Sequence, residues 1–79
     1  MSHPTPIDFE LRGEYIELDK LLKAAGFADS GGQARMLITE GLVQVDGRPE
    51  SRKTAKIRAG QLVQLQDQRI RVLADPHQD

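Results

Sequence analysis

No cysteine occurs in these 79 residues, so neither disulfides nor a thiolate zinc site can supplement the core, and stability must come from packing. Tryptophan is absent too, and the aromatics are only Phe9, Tyr15 and Phe27. The first and last of these are placed to fill a core, which leaves little support for the stacking platforms used by many single-strand nucleic-acid binders. The two histidines, His3 and His77, lie in the tails with no partner at metal-ligand spacing; a metal site and a base for an activated serine are both missing. Also absent is the phosphate-loop pattern of Gly, four residues, then Gly-Lys-Ser/Thr, and with it nucleotide hydrolysis. The expectation is a non-enzyme with no cofactor and no metal. No apolar run approaches the roughly 18 residues that cross a bilayer, and Met1-Ser2-His3-Pro4 lacks the basic and apolar regions of a signal peptide. A cytoplasmic protein with no membrane partner is expected.

What is present is an ordinary globular composition, 38% hydrophobic and 29% charged, on a chain with room for one small core. The net charge of −1 and pI near 6.1 conceal an asymmetry. Residues 1–19 carry five acids against Arg12, whereas residues 20–58 carry eight Lys or Arg against four acids. A basic middle segment is masked by acidic ends.

The ends, 1–6 and 75–79, read as flexible tails, leaving one domain over 7–74. Ile7, Phe9 and Leu11 alternate with polar residues, the pattern of a strand with one buried face. Leu18, Leu21, Leu22 and Ala25 form one stripe at helical spacing, ended by Gly26; Lys20 and Lys23 project from the opposite face. Ser30 and Gln33 match a capping box that opens a second helix. Ala34, Leu37 and Ile38 form its buried stripe, Gly41 stops it, and Arg35 stands about 100° from Ala34, on the flank and free to reach solvent. Met36 falls off the stripe without explanation. Val43 and Val45 then lead to an Asp46-Gly47 hairpin turn, a short edge strand after Pro49, a basic loop from Glu50 to Arg58, and a final hairpin of Leu62–Leu65 and Ile70–Leu73 turning at Asp67-Gln68. The fold class is α+β: a strand, two helices, then an antiparallel run of strands.

Leu18-Asp19 with Leu22, then Gly26, Ser30, Ala34, Leu37-Ile38, Gly41, Val43, Val45-Asp46-Gly47 and Gly60 resemble the ribosomal-protein-S-four-type RNA-binding domain over about residues 16–66. Ser30-Gly31-Gly32-Gln33-Ala34-Arg35 and Glu50-Ser51-Arg52-Lys53 to Lys56-Ile57 look like the small stand-alone bacterial subgroup of YbcJ and YaaA type. The resemblance implies the αL motif, two helices packed on a small, mostly antiparallel sheet, with RNA laid across the helices and adjoining hairpin. It also marks a departure: the wider family has an arginine that meets phosphate directly after the capping serine, and here that position is Gly31.

Two readings of Gly31-Gly32 stand side by side, a permissive entry to the helix and a site where phosphate approaches free N–H groups. Lys20 and Lys23 alone would be a solvated helix face. Arg52, Lys53, Lys56 and Arg58 are the stronger signal, because four cations within seven positions repel one another unless a polyanion or solvent screens them. The expected RNA-binding set is Lys20, Lys23, Ser30, Gly31, Gly32, Arg35, Arg52, Lys53 and Lys56, on a monomer that contacts the backbone of structured RNA, ribosomal RNA being one candidate. The rivals are a protein-interaction adaptor whose basic loop docks an acidic partner, and an accessory to an RNA-modifying enzyme.

Overall fold

The computed structural model describes residues 5–77; of the expected tails, 1–6 and 75–79, residues 1–4 and 78–79, and His3 with them, lie outside the described residues. Two helices carry the pattern read above. Helix α1 spans Leu18–Ala24 and buries Leu18, Leu21 and Leu22 completely. Helix α2 spans Gly31–Thr39 and buries Ala34 and Ile38. Leu37 is only partly buried, so the buried stripe of α2 is narrower than expected, and Met36 faces solvent at 60% exposure. Both helices end alike. Gly26 and Gly41 take φ of 83° and 78°, and the amides beyond them reach back, Phe27 to Leu22 O at 2.9 Å and Leu42 to Leu37 O at 3.2 Å. This closure needs a left-handed residue, which glycine adopts at least cost.

The strands are β1 (Ile7–Glu10), β2 (Tyr15–Glu17), β3 (Val43–Val45), β4 (Arg48–Pro49), β5 (Lys56–Arg58), β6 (Leu62–Leu65) and β7 (Gln68–Leu73). Five form one sheet in the order β1-β7-β6-β3-β4, and β2 pairs with β5 in a separate ladder. Alternation sets which residues face the helices: Val63 and Leu65 of β6 and Ile70 and Val72 of β7 are buried, with Val63 opposite Ile70 in the register. Leu11, Val43, Ala55 and Ile57 complete a core shared with Leu18, Leu21, Leu22, Ala34 and Ile38. Phe9 and Phe27 pack against its edge. No helix among the described residues is long and apolar enough to cross a membrane.

Several expectations are corrected. The edge strand is Arg48–Pro49 rather than a segment after Pro49; Asp46 and Gly47, with φ of 52° and 84°, make a two-residue turn so tight that pairing resumes at once with Val45 opposite Arg48. The last hairpin turns at Gln66-Asp67, one residue earlier than expected, with Gln66 left-handed at φ 55° and Leu65 opposite Gln68. The run of strands after the helices is antiparallel as expected, while β1, which precedes them, joins β7 in parallel. Across that parallel pair the Arg71 guanidinium grips Asp8 of β1 at 2.9 and 3.3 Å. Asp75, assigned to a tail, is tied in, accepting from Gly13 N–H at 2.7 Å and His77 N–H at 2.8 Å.

Candidate nucleic-acid interface

Helix α1 starts without a side-chain cap, since Glu17 at its N-cap makes no such bond. Its first free amides are satisfied from elsewhere: Leu18 N–H donates to Ala55 O at 2.9 Å and Asp19 N–H to Lys53 O at 3.1 Å. The segment expected to be a free basic loop is thus fastened to the start of α1. Its C-terminal part is a strand, β5, in which Lys56 lies opposite Glu17 and Arg58 opposite Tyr15. Sequence reasoning missed Tyr15. The ring is 42% exposed, with the Lys56 ammonium 5.0 Å and the Arg58 guanidinium 5.8 Å from its centre, within cation–π range.

Helix α2 begins at Ser30, whose hydroxyl accepts from Gln33 N–H at 3.1 Å. The reciprocal half of the capping box differs from expectation: the Gln33 side chain accepts from Asp29 N–H at 2.6 Å, one residue before the cap. The first amide to bond within the helix is that of Ala34, to Ser30 O, so Gly31 and Gly32 precede the intrahelical ladder. Arg35 is not simply free in solvent. Its Nη1 lies 3.4 Å from Oδ2 of Asp19 on α1, and a Cβ at Gly31 would stand 3.4 Å from the same nitrogen.

The six expected cations divide evenly. Lys20 pairs with Glu17 at 2.6 Å, a hydrogen bond that raises the pKa of the ammonium. Arg35 pairs with Asp19. Arg52 is held by Glu50 through its side chain at 3.1 and 3.2 Å and through its backbone amide at 3.1 Å, which keeps the Glu50 carboxyl below its ordinary range. Glu50, at the start of the basic loop, thus neutralises one of its four cations. Among the described residues, Lys23, Lys53, Lys56 and Arg58 have no carboxylate partner. Lys20, Arg35 and Lys53 converge at the start of α1 through Glu17, Asp19 and the Lys53 carbonyl. Lys23 shares only the helix with them, and Arg52 is drawn aside onto Glu50. A depression of about 440 Å³ beside Tyr15 is lined by Asp8, Phe9, Glu10 and Arg12; its acids keep it from extending the cationic surface. Among the described residues there is no cluster of three or more His, Cys, Asp or Glu able to hold a metal ion.

Residues 9–73 match the S4 domain. The chain belongs to the S4-domain family. It is similar to YbcJ of Escherichia coli (strain K12), named as a candidate RNA-binding protein, with 47% identity over 60 residues that cover 76% of this chain and 86% of YbcJ. It is also similar to RlbA of Bacillus subtilis (strain 168), named as a probable ribosome maturation protein, with 33% identity over 66 residues that cover 84% of this chain and 87% of RlbA. The solution structure of Escherichia coli YbcJ, described as revealing an αL motif involved in RNA binding, superposes with a TM-score of 0.70 at 40% identity, covering 94% of this chain and 95% of YbcJ. The αL architecture and the stand-alone S4 subgroup read from the residues agree with these matches.

Proposed function

We propose that this chain is a non-catalytic RNA-binding protein of the cytoplasm. It acts as a monomer built on one domain, residues 7–74, and grips the phosphate backbone of structured RNA, with ribosomal RNA the leading candidate. The observation that carries the reading is the fastening of the basic segment to α1 by the Lys53 and Ala55 carbonyls. It ties the 52–58 segment to the start of α1, where Lys20 and Arg35 pair with Glu17 and Asp19, and supports a local cationic surface that the net charge of −1 would not have suggested. Lys53 and Lys56, exposed and without carboxylate partners among the described residues, are the strongest contacts. Lys20, Lys23, Arg35 and Arg52 support them, and Ser30, Gly31 and Gly32 form the edge where phosphate meets the start of α2. The likeness to YbcJ and RlbA supports the choice of RNA and of the ribosome.

Phosphate contacts position a protein without reading sequence, so Lys53→Glu with Lys56→Glu should weaken binding to every folded RNA by a similar factor and leave stability nearly unchanged. Wild type should lose affinity with salt at a logarithmic slope of roughly −3 to −5, if about four to six phosphates are neutralised. The check is a titration of both proteins against a structured ribosomal RNA fragment at two salt concentrations. Equal affinities, or binding indifferent to salt, would sink the phosphate reading. That result would favour the adaptor reading, for which the internal neutralisation of Lys20 and Arg52 is the supporting observation.

A further inference from the structure

Asp19 is chemically apart from its neighbours: at 6% exposure it is the one charged residue buried among those described. A carboxylate withdrawn from water needs compensation. Oδ1 receives Lys20 N–H at 2.9 Å and Oδ2 receives Arg35 Nη1 at 3.4 Å. The pair is lopsided. The Asp19 side chain is 8% exposed and that of Arg35 is 49% exposed, so the acid is embedded in the protein while the guanidinium keeps an open side. Gly31 completes the arrangement. The guanidinium lies over its bare backbone, and a Cβ there would meet Nη1 at 3.4 Å and both Cζ and Nη2 at 3.9 Å. A side chain longer than a methyl group at position 31 would extend into the space the guanidinium fills.

We propose that Asp19 is a positioning residue for Arg35, which it aims at an RNA phosphate, and that Gly31 supplies the vacancy the aimed guanidinium needs. The inference rests on the RNA-binding reading above. An arginine fixed at one edge of its planar fork presents its remaining donors in a set direction, and planar, paired donation is how arginine recognises phosphate. Less side-chain freedom is then lost on binding. Counting charges makes the opposite statement: removing the Asp19 carboxylate makes the surface more positive and should tighten RNA binding. Positioning requires it to weaken.

The experiment measures affinity of wild type, Asp19→Asn, Arg35→Ala and the double variant for the same ribosomal RNA fragment at two salt concentrations, with circular dichroism verifying that each is folded. Arg35→Ala should bind about tenfold more weakly with a salt slope shallower by about 1. Asp19→Asn should bind about threefold more weakly despite its added positive charge. The double variant should be no weaker than Arg35→Ala, because Asp19 acts only through Arg35. Tighter binding by Asp19→Asn, or a further loss in the double variant, overturns the proposal. Should Asp19→Asn fail to fold, Gly31→Leu carries the test: it keeps both charged residues yet crowds the guanidinium, and it should weaken binding by a larger factor in the wild-type background than alongside Arg35→Ala. Undiminished affinity of Gly31→Leu would overturn the proposal equally. Lys53→Glu with Lys56→Glu, run in parallel, separates the two layers. If that pair also binds like wild type, the RNA reading fails and takes this inference with it; if it weakens while the Arg35 and Gly31 variants do not, only the positioning role falls.

Discussion

Three consecutive residues of α2 offer a graded measurement of how the helix sits on the core. Ile38 is fully buried, Leu37 partly, and Met36 is 60% exposed. Truncating a fully buried Ile to Ala costs about 2–5 kcal/mol, the lost transfer free energy plus a cavity the surroundings only partly fill. A chain of this length has roughly 4–12 kcal/mol of stability in total, so Ile38→Ala removes a large share of it and can unfold much of the population. With about 4–8 °C lost per kcal/mol in a domain of this size, its melting temperature should drop by at least roughly 8 °C. Leu37→Ala should cost about half as much, and Met36→Ala less than about 0.5 kcal/mol, as for a surface substitution. The chain lacks tryptophan, so the assay is helical circular dichroism followed in urea and on heating. A cost for Met36→Ala that equals the cost for Ile38→Ala would mean that α2 is rotated relative to the description above, and the argument from its buried face would fall.

Ser30→Ala should cost about 1 kcal/mol, and Gln33→Ala a separate cost that adds to it in the double variant, because the two side chains cap different amides; strong non-additivity in urea denaturation would restore the reciprocal box. Glu50→Gln should release Arg52 and make RNA binding tighter, with a salt slope steeper by up to about 1; an unchanged titration would exclude Arg52 from the interface. The Asp75 carboxyl is lowered first by His77 N–H and then by Gly13 N–H, so the stability it contributes is present above the ordinary carboxylate pKa of about 4 and disappears as pH falls through the lower folded value. Wild type should therefore exceed Asp75→Asn in stability at neutral pH and converge with it in acid, and a gap independent of pH in parallel acid denaturations would contradict the tie.

The two helices were legible in the sequence because each carries its own local signals: a leucine stripe and Gly26 for α1, Ser30 and Gly41 for α2. The Asp46-Gly47 turn was legible for the same reason. What escaped depends on partners remote in sequence. Tyr15–Glu17 and Lys56–Arg58 are three residues each, with a single isoleucine at the centre of each, too short for a period to register. They become strands only through each other. Pairing of β1 with β7 likewise leaves no local trace. At the site, the cations were legible as residue types, but their pairing states were not. Glu50 reaches Arg52 across two positions by a choice of rotamer, and Arg35 meets Asp19 only because the helices pack. Asp19 itself was read as part of a family pattern, while its burial, which gives it chemical meaning, belongs to the tertiary structure.

The place of β7 in the sheet has a consequence for the order of assembly. This strand lies between β1 and β6, and β1 pairs with it across 63 positions of chain, Ile7 to Ile70. The first strand of the sheet must wait for the last, so the five-stranded sheet cannot close until β7 has been made. Helices α1 and α2 can form first, since their contacts are local, whereas sheet closure carries the entropy of a long loop and sets the slow step.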